Sequence, residues 1–416
     1  MAQHNTDWPP NRAAALARLE QFAPAAGRRY ANGRNYDRGR SQHTAVSGLS
    51  PWLRHRRISE WEVISTVLQL HSPSAAEKFI QEVCWRTYWK GWLEMRPQVW
   101  RDYQAAVYRY YGQPEVMHQI DAAVTGNSGI ECFDYWCAEL TETGYLHNHA
   151  RMWFASIWIF TLKLPWQLGA DYFMRYLLDG DVAANTLSWR WVAGLQTRGK
   201  TYLARADNIA KYTDQRFSPH GQLSALAIPL EESPIPKRRP IPQALDCVPC
   251  GRHGLLLTDD DLLPELLLEA SHYEAVAAVT GLSLMSPGSL ASRVAAFNRQ
   301  LVHDSLADHD QPATLHEITD DADIATVIQA LVTWAADNRL DSVVCAYAPV
   351  GPNADVLKQL HDALAGQNIG LCVVRRDWDS RFWPHAGKGF FALKKNIPQL
   401  LQPIRDKLNP QQALFD

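Results

Sequence analysis

Three short strings hold residue types able to do chemistry at spacings that bring them together on helices. Glu82, Trp85 and Arg86 lie in Phe79-Ile80-Gln81-Glu82-Val83-Cys84-Trp85-Arg86-Thr87-Tyr88-Trp89. Glu82 and Arg86, four apart, share a helix face, and by themselves would form an ordinary stabilising pair. Asn148, Arg151 and Met152 follow in Gly144-Tyr145-Leu146-His147-Asn148-His149-Ala150-Arg151-Met152. One turn separates Asn148 from Arg151. The third string runs from Leu178-Asp179-Gly180-Asp181 through Asn185 to Trp189-Arg190-Trp191, with Trp189 four residues after Asn185 on the same face. A carboxylate beside a Trp can grip a flat heterocycle, by edge hydrogen bonds and by stacking. Any one of these residues taken alone reads better as core packing; the joint occurrence is what carries information.

A fourth string, Val46-Ser47-Gly48-Leu49-Ser50-Pro51, reads as a helix start with Ser50 as N-cap and Pro51 at the first helical position. Backbone N–H groups and hydroxyls at such a start can receive a phosphate.

These strings, in this order, resemble the flavin-binding domain of the photolyase/cryptochrome family over roughly residues 28–212. The resemblance implies FAD as cofactor. It implies that Ser47, Gly48, Leu49 and Ser50 hold the flavin pyrophosphate, helped by a preceding Tyr, for which Tyr36 and Tyr30 both qualify. Arg86, Arg151, Asp179, Asp181 and Asn185 would surround the flavin, with Arg151 pairing Asp179 and Asn185 beside the ring. Glu82, Trp85, Asn148, Met152 and Trp191 would bind the DNA lesion, a pyrimidine dimer. Trp189 and then Trp166 would carry electrons to the flavin; spacing does not identify the outermost aromatic. Val46, Tyr145 and His149 stand where the family usually has Thr, Trp and Arg. Met152 disfavours the animal (6-4) specificity, whose members have a second His there. The implied function is light-driven repair of cyclobutane pyrimidine dimers, with a cryptochrome-like photoreceptor lacking repair as the alternative.

The elements that must position these residues follow from periodicity. Apolar residues recur every three to four positions through Trp61–Leu70, Phe79–Leu93, Phe133–Leu140, Met152–Leu164 and Tyr172–Leu178, so residues 1–230 read as all-α. Residues 231–243, with Pro234, Pro236, Pro240 and Pro242 among charges, read as an extended linker. Residues 244–416 alternate short apolar runs (Gly254–Leu257, Ala275–Val279, Ser342–Tyr347, Ile369–Val374) with helical stretches (Ile324–Asp337, Asn353–Leu364), the pattern of a parallel sheet covered on both faces. No GxGxxG follows the first run, which removes that dinucleotide fingerprint. Photolyases begin with an α/β antenna domain. Here the α/β part follows the flavin domain, and a permuted order is expected, its antenna chromophore, if one binds, unidentified.

Composition bounds the rest. The chain has 416 residues, 46% hydrophobic and 20% charged, enough for two soluble domains. Its net charge of −3 hides an asymmetry. Residues 1–240 hold 28 Lys and Arg against 22 Asp and Glu, a charge of +6, and the remainder carries −9. DNA is therefore expected to meet the N-terminal part alone, with Arg54, Arg56 and Arg57 as phosphate contacts and the Arg190, Arg198 and Lys200 region as the other candidate. No apolar run reaches a membrane span. The first ten residues lack a signal-peptide core, and the seven Cys have no regular spacing, so a reducing cytoplasm is expected. Cys247-Val-Pro-Cys250 is a lone CxxC that reads as a turn rather than a metal site.

Overall fold

The computed structural model describes residues 8–40, 42–243, 251–263, 273–311, 313–319 and 323–408. The CxxC at Cys247 and Cys250 lies outside them. Helices fill the N-terminal half: Arg12–Phe22 (α1), Arg28–Gly33 (α2), Ser50–Arg54 (α3), Glu60–Leu70 (α4), Glu77–Glu94 (α5), Gln98–Tyr111 (α6), Pro114–Val124 (α7), Glu131–Thr143 (α8), Asn148–Ser156 (α9), Trp166–Tyr176 (α10), Val182–Val192 (α11) and Ala206–Tyr212 (α12). Local chemistry fixes several ends. Ser59 and Glu62 form a reciprocal capping box on α4. Asp181 caps α11 by accepting from the Ala184 N–H at 2.7 Å. Gly144 ends α8 in the left-handed region, φ 74°. The apolar run Met152–Leu164 is α9 continued by one π-helical turn, Ile157–Thr161, a local widening of the kind found near functional sites.

Strands His253–Thr258 (β1), Val276–Thr280 (β2), Ala313–Glu317 (β3), Ser342–Ala346 (β4) and Gly370–Val374 (β5) form one parallel sheet in the order β3-β2-β1-β4-β5. Helices Ser292–Leu306 (α13), Ile324–Asp337 (α14) and Pro352–Ala365 (α15) are its crossovers. Four strands were legible as apolar runs, because β1, β2 and β4 are almost wholly buried. The edge strand β3, Ala-Thr-Leu-His-Glu, is half exposed and carries no such run. Four further short helices close the fold: Asp377–Phe382 (α16), Phe390–Lys394 (α17), Ile397–Leu400 (α18) and Gln402–Leu408 (α19). They leave the sheet and pack on α4 and α5. A single apolar cluster therefore joins Trp52, Phe79 and Trp89 of the helical half to Trp378, Phe382 and Phe390. Gly91 permits the approach: a Cβ there would stand 2.7 Å from the Trp383 ring.

The expected phosphate contacts are the main correction. Arg54, Arg56 and Arg57 are each about 1% exposed and meet carboxylates of the C-terminal half. Arg54 pairs Asp260 at 2.7 Å. Arg56 pairs Asp379 at 2.6 Å and Glu60 at 3.3 Å. Arg57 pairs Asp304 at 2.7 Å and Asp308 at 2.6 Å. The positive and negative halves thus neutralise each other internally, and these Arg face no solvent and no DNA. Arg190 is likewise buried and paired with Glu232 at 2.5 Å; Arg198 and Lys200 remain exposed. Cys84, Cys132, Cys137 and Cys345 are free and buried, whereas Cys372 in β5 is disulfide-bonded. Among the described residues no helix is long and apolar enough to cross a membrane.

The sheet's switch point, where strand order reverses between β1 and β4, is where open α/β sheets hold ligands. Here it is filled by protein. Arg54 donates to the Asp259 carbonyl at 3.4 Å, His55 Nδ1 lies 2.6 Å from that same oxygen, and Asn353 donates to Asp259 and Asp260 at 2.9 and 2.8 Å. Beside it, Glu94 at the end of α5 accepts from the Tyr347 hydroxyl at 2.8 Å and the Val350 N–H at 2.6 Å.

Two outcomes follow. Arg56→Met strands Glu60 and Asp379 in the interior, and removing one partner of a buried pair costs about 3–5 kcal/mol; a urea midpoint shift smaller than about 1 kcal/mol would show that solvent reaches the site. Burial pushes the Glu94 carboxyl up to about 7 despite its two hydrogen bonds. Its folded value exceeds the ordinary 4.5, so its contribution is complete below about pH 4.5 and is lost as pH rises through 7. Glu94→Gln should therefore gain stability relative to the parent near pH 8, and little near pH 5, in urea unfolding at the two pH values.

Candidate functional site

The three chemical strings of the sequence meet in one cavity of about 970 Å³, at the upper end of the range for small-molecule sites. Helix α5 supplies Glu82, Trp85 and Arg86, α9 supplies Asn148, Arg151 and Met152, and α11 supplies Asn185, Trp189 and Trp191. Asp179 and Asp181 enter from the turn before α11, and Ser50 from the start of α3.

Ion pairs order the floor. Arg151 holds Asp179 at 2.9 and 3.0 Å. Burial raises the Asp179 carboxyl, but Arg151, Arg86 and a hydrogen bond from Ser50 outweigh it and hold the group below its ordinary range. Asp181 lies 3.4 Å from Arg86 and 3.6 Å from Lys90. Burial is again opposed, here by Lys90, Arg86 and Arg54, and the carboxyl stays well below its ordinary range. Asn185 donates to the Ala170 carbonyl at 2.8 Å, which pins its amide at the wall. Glu82 pairs with Arg34.

Aromatic residues line the cavity as well. Trp191 stacks on Tyr202, centroids 5.8 Å apart. Trp85 is covered by Phe390 of α17, centroids 3.7 Å apart and planes 11° apart. Trp189 is buried, with Phe154, Trp158 and Phe173 as its ring neighbours. It lies directly over Gly169, where a Cβ would stand 2.3 Å from the indole. Trp166 is one turn earlier on α10. It donates Nε1–H to Glu232 at 2.7 Å and neighbours Tyr103 at 5.7 Å, which in turn stacks on Trp100 at 5.1 Å.

The four residues of the Ser47–Ser50 loop fall in different places. Ser50 reaches the cavity, but it is the first helical residue and Leu49 takes the cap position. Leu49 is fully buried. The Ser47 carbonyl accepts from Arg18 at 2.9 Å. Gly48, at φ 65°, turns toward a separate pocket of about 330 Å³ that Arg18, Arg29 and His43 also line. Of the two candidate tyrosines, Tyr30 lines the large cavity. Tyr36 lies off its wall, edge-on to Tyr212 at 5.2 Å with Arg38 over its ring. Arg205, Tyr202 and Phe391, which sequence reasoning did not single out, also line the cavity, as does Arg34, one of an early run of Arg able to face a polyanion. Arg34 caps the C-terminal end of α2, four residues after Tyr30; Phe391 lies more than 300 residues from Trp85 and gave no signal.

The donor set suits an FAD. Arg34, Arg86, Arg151 and Arg205 outnumber Glu82, Asp179 and Asp181 around the cavity, as a pyrophosphate requires. Arg86 Nη1 and Asp179 Oδ1 are buried, each held by an ion pair but without a hydrogen bond, so both retain capacity toward a ligand.

Residues 79–229 match the family described as the FAD binding domain of DNA photolyase. A deoxyribodipyrimidine photo-lyase of Streptomyces griseus is 33% identical over 190 residues, 42% of this chain and 41% of that protein. The Escherichia coli enzyme of the same name is 30% identical over 203 residues, 47% of this chain and 42% of that protein. A cryptochrome structure from Synechocystis shares 22% identity over 52% of this chain and 46% of that chain, with a TM-score of 0.45. The chain thus spans less than half the length of these curated relatives. Residues 79–229 are thus similar to the FAD-binding domain of DNA photolyase, and FAD is the cofactor that this match supports.

Proposed function

We propose that the protein is a light-driven flavoenzyme that repairs cyclobutane pyrimidine dimers in DNA. The observation that carries this is convergence: Glu82, Trp85, Asn148, Met152 and Trp191 share one cavity with the flavin-type residues Arg86, Arg151, Asp179 and Asn185. When bound, the reduced flavin supplies an electron on illumination and recovers it after the dimer splits. The chain's own residues bind, orient and shield. Trp85 and Trp191 offer aromatic faces to an extruded dimer, and Glu82 and Asn148 offer edge hydrogen bonds. Arg151 with Asp179, and Arg86 with Asp181, set the floor against which the cofactor rests.

In this reading residues 1–230 form the flavin domain, 231–243 the connection, and 244–416 an antenna-type α/β domain in permuted position. The five-stranded parallel sheet supports that assignment. The competing reading is a photoreceptor without repair. The departures at Val46, Tyr145 and His149 support it, and so does Phe390, which covers a face of Trp85.

Repair predicts that illuminated, reduced protein restores thymine in dimer-containing oligonucleotides above a flavin-only control, with tighter binding to damaged than to intact DNA. A photoreceptor would photoreduce and show an affinity ratio near one.

A second outcome concerns the electron path. Trp189 is the proximal donor in this reading and Trp166 the next, with Tyr103 and Trp100 continuing the aromatic contact from Trp166. Trp189→Phe keeps a ring over Gly169 but raises the cost of oxidation. Flavin photoreduction should slow by orders of magnitude while flavin content stays at the parent level. Parent-like kinetics would reassign the donor, with Trp158, 6.1 Å from Trp189, the next to be changed.

A further inference from the structure

We infer that the C-terminal segment Lys388–Lys395 is part of the DNA-binding surface, and that Phe391 stacks on a base flanking the extruded dimer. This rests on the repair reading above and extends it to a region whose overall charge is −9.

Phe391 is 76% exposed, yet it lines the large cavity together with Trp85 and Trp191. An exposed Phe side chain is unfavourable in water unless something covers it. Its neighbour Phe390 is buried against Trp85. The two consecutive aromatic residues therefore divide their work: one braces the cavity wall and the other projects at the mouth.

The segment is well anchored. Tyr88 donates its hydroxyl to the Lys388 carbonyl at 2.9 Å. Arg96 donates to the Gly387 carbonyl at 3.0 Å, and Lys394 pairs Glu77 on α5 at 3.1 Å. Phe391 is thus held at the cavity edge by its backbone, and its ring meets only the edge of Phe390, centroids 6.5 Å apart, among the aromatic rings of the described residues. Lys388 and Lys395 flank it and are exposed. An aromatic platform between cations fits a nucleic-acid strand: base stacking on the ring, phosphate beside the ammonium groups. No comparable fit exists for an acidic protein surface, which would leave the ring without a flat partner.

The test uses the full chain loaded with FAD and a duplex carrying one dimer with a fluorescent adenine analogue at the flanking base. Phe391→Ala should weaken binding to the damaged duplex on the order of tenfold, the scale of one base–aromatic stack. It should also brighten the analogue in the complex, with flavin content unchanged. Phe391→Trp should retain parent affinity. Replacing Lys388 and Lys395 by Ala should weaken damaged and intact DNA alike and flatten the salt dependence. If the parent prefers damaged DNA and Phe391→Ala binds it equally well, the inference fails and the repair reading stands. An equal loss on damaged and intact DNA would also overturn the stack. A parent without lesion preference would instead remove the repair reading itself.

Discussion

The architecture depends on the buried ion pairs that Arg54, Arg56 and Arg57 make with the C-terminal half. Three guanidinium groups in four residues, each about 1% exposed, can be taken out of water only if carboxylates meet them at hydrogen-bond distance. Asp260, Asp379, Asp304 and Asp308 do so. The net gain from such pairs over an apolar contact is small, but the penalty for leaving any one unpaired is large. Their effect is to permit one docking geometry and to penalise others. The +6 and −9 of the two halves are the long-range expression of the same complementarity.

That docking has consequences at the site. Arg54 donates to the Gly180 carbonyl at 2.8 Å, between Asp179 and Asp181. The group that joins the sheet thus also supports the turn feeding α11, and Asp181 is held below its ordinary range by Arg54 together with Lys90 and Arg86, against burial. The same docking lays α16 and α17 along α5 and brings Phe390 onto Trp85. Sheet, turn and cavity wall are coupled through one buried network. The sheet's switch-point crevice is the cost of this arrangement, because Arg54 and His55 occupy it.

The cavity itself shows two regimes. Its floor is ionic and fixed: Arg151 with Asp179, Arg86 with Asp181, and Asn185 pinned to Ala170. Its rim is aromatic, with Trp85, Trp191, Tyr202 and Phe391. Fixed dipoles and charges suit a tightly held cofactor, whereas stacking surfaces suit a ligand that must enter and leave. The division matches the two classes of partner that the proposed activity needs.

The sequence by itself determined which side chains of the three chemical strings share helix faces. The i, i+3 and i, i+4 spacings around Glu82, Asn148 and Asn185 are local, and a helix converts them directly into shared faces. Continuous apolar runs disclosed four strands for the same reason: burial on both faces leaves a pattern in consecutive residues. Tertiary structure decided the rest. The half-exposed β3 has no such pattern. Tyr30 rather than Tyr36 lines the cavity because α2 turns the former inward, and Leu49 rather than Ser50 takes the cap position because the loop closes one residue early. The fate of the Arg54–Arg57 cluster could not be read from charge alone, since an Arg that meets phosphate and one that meets a buried Asp look alike in sequence. Only a contact more than 200 residues away distinguishes them, and the same holds for Phe390 on Trp85.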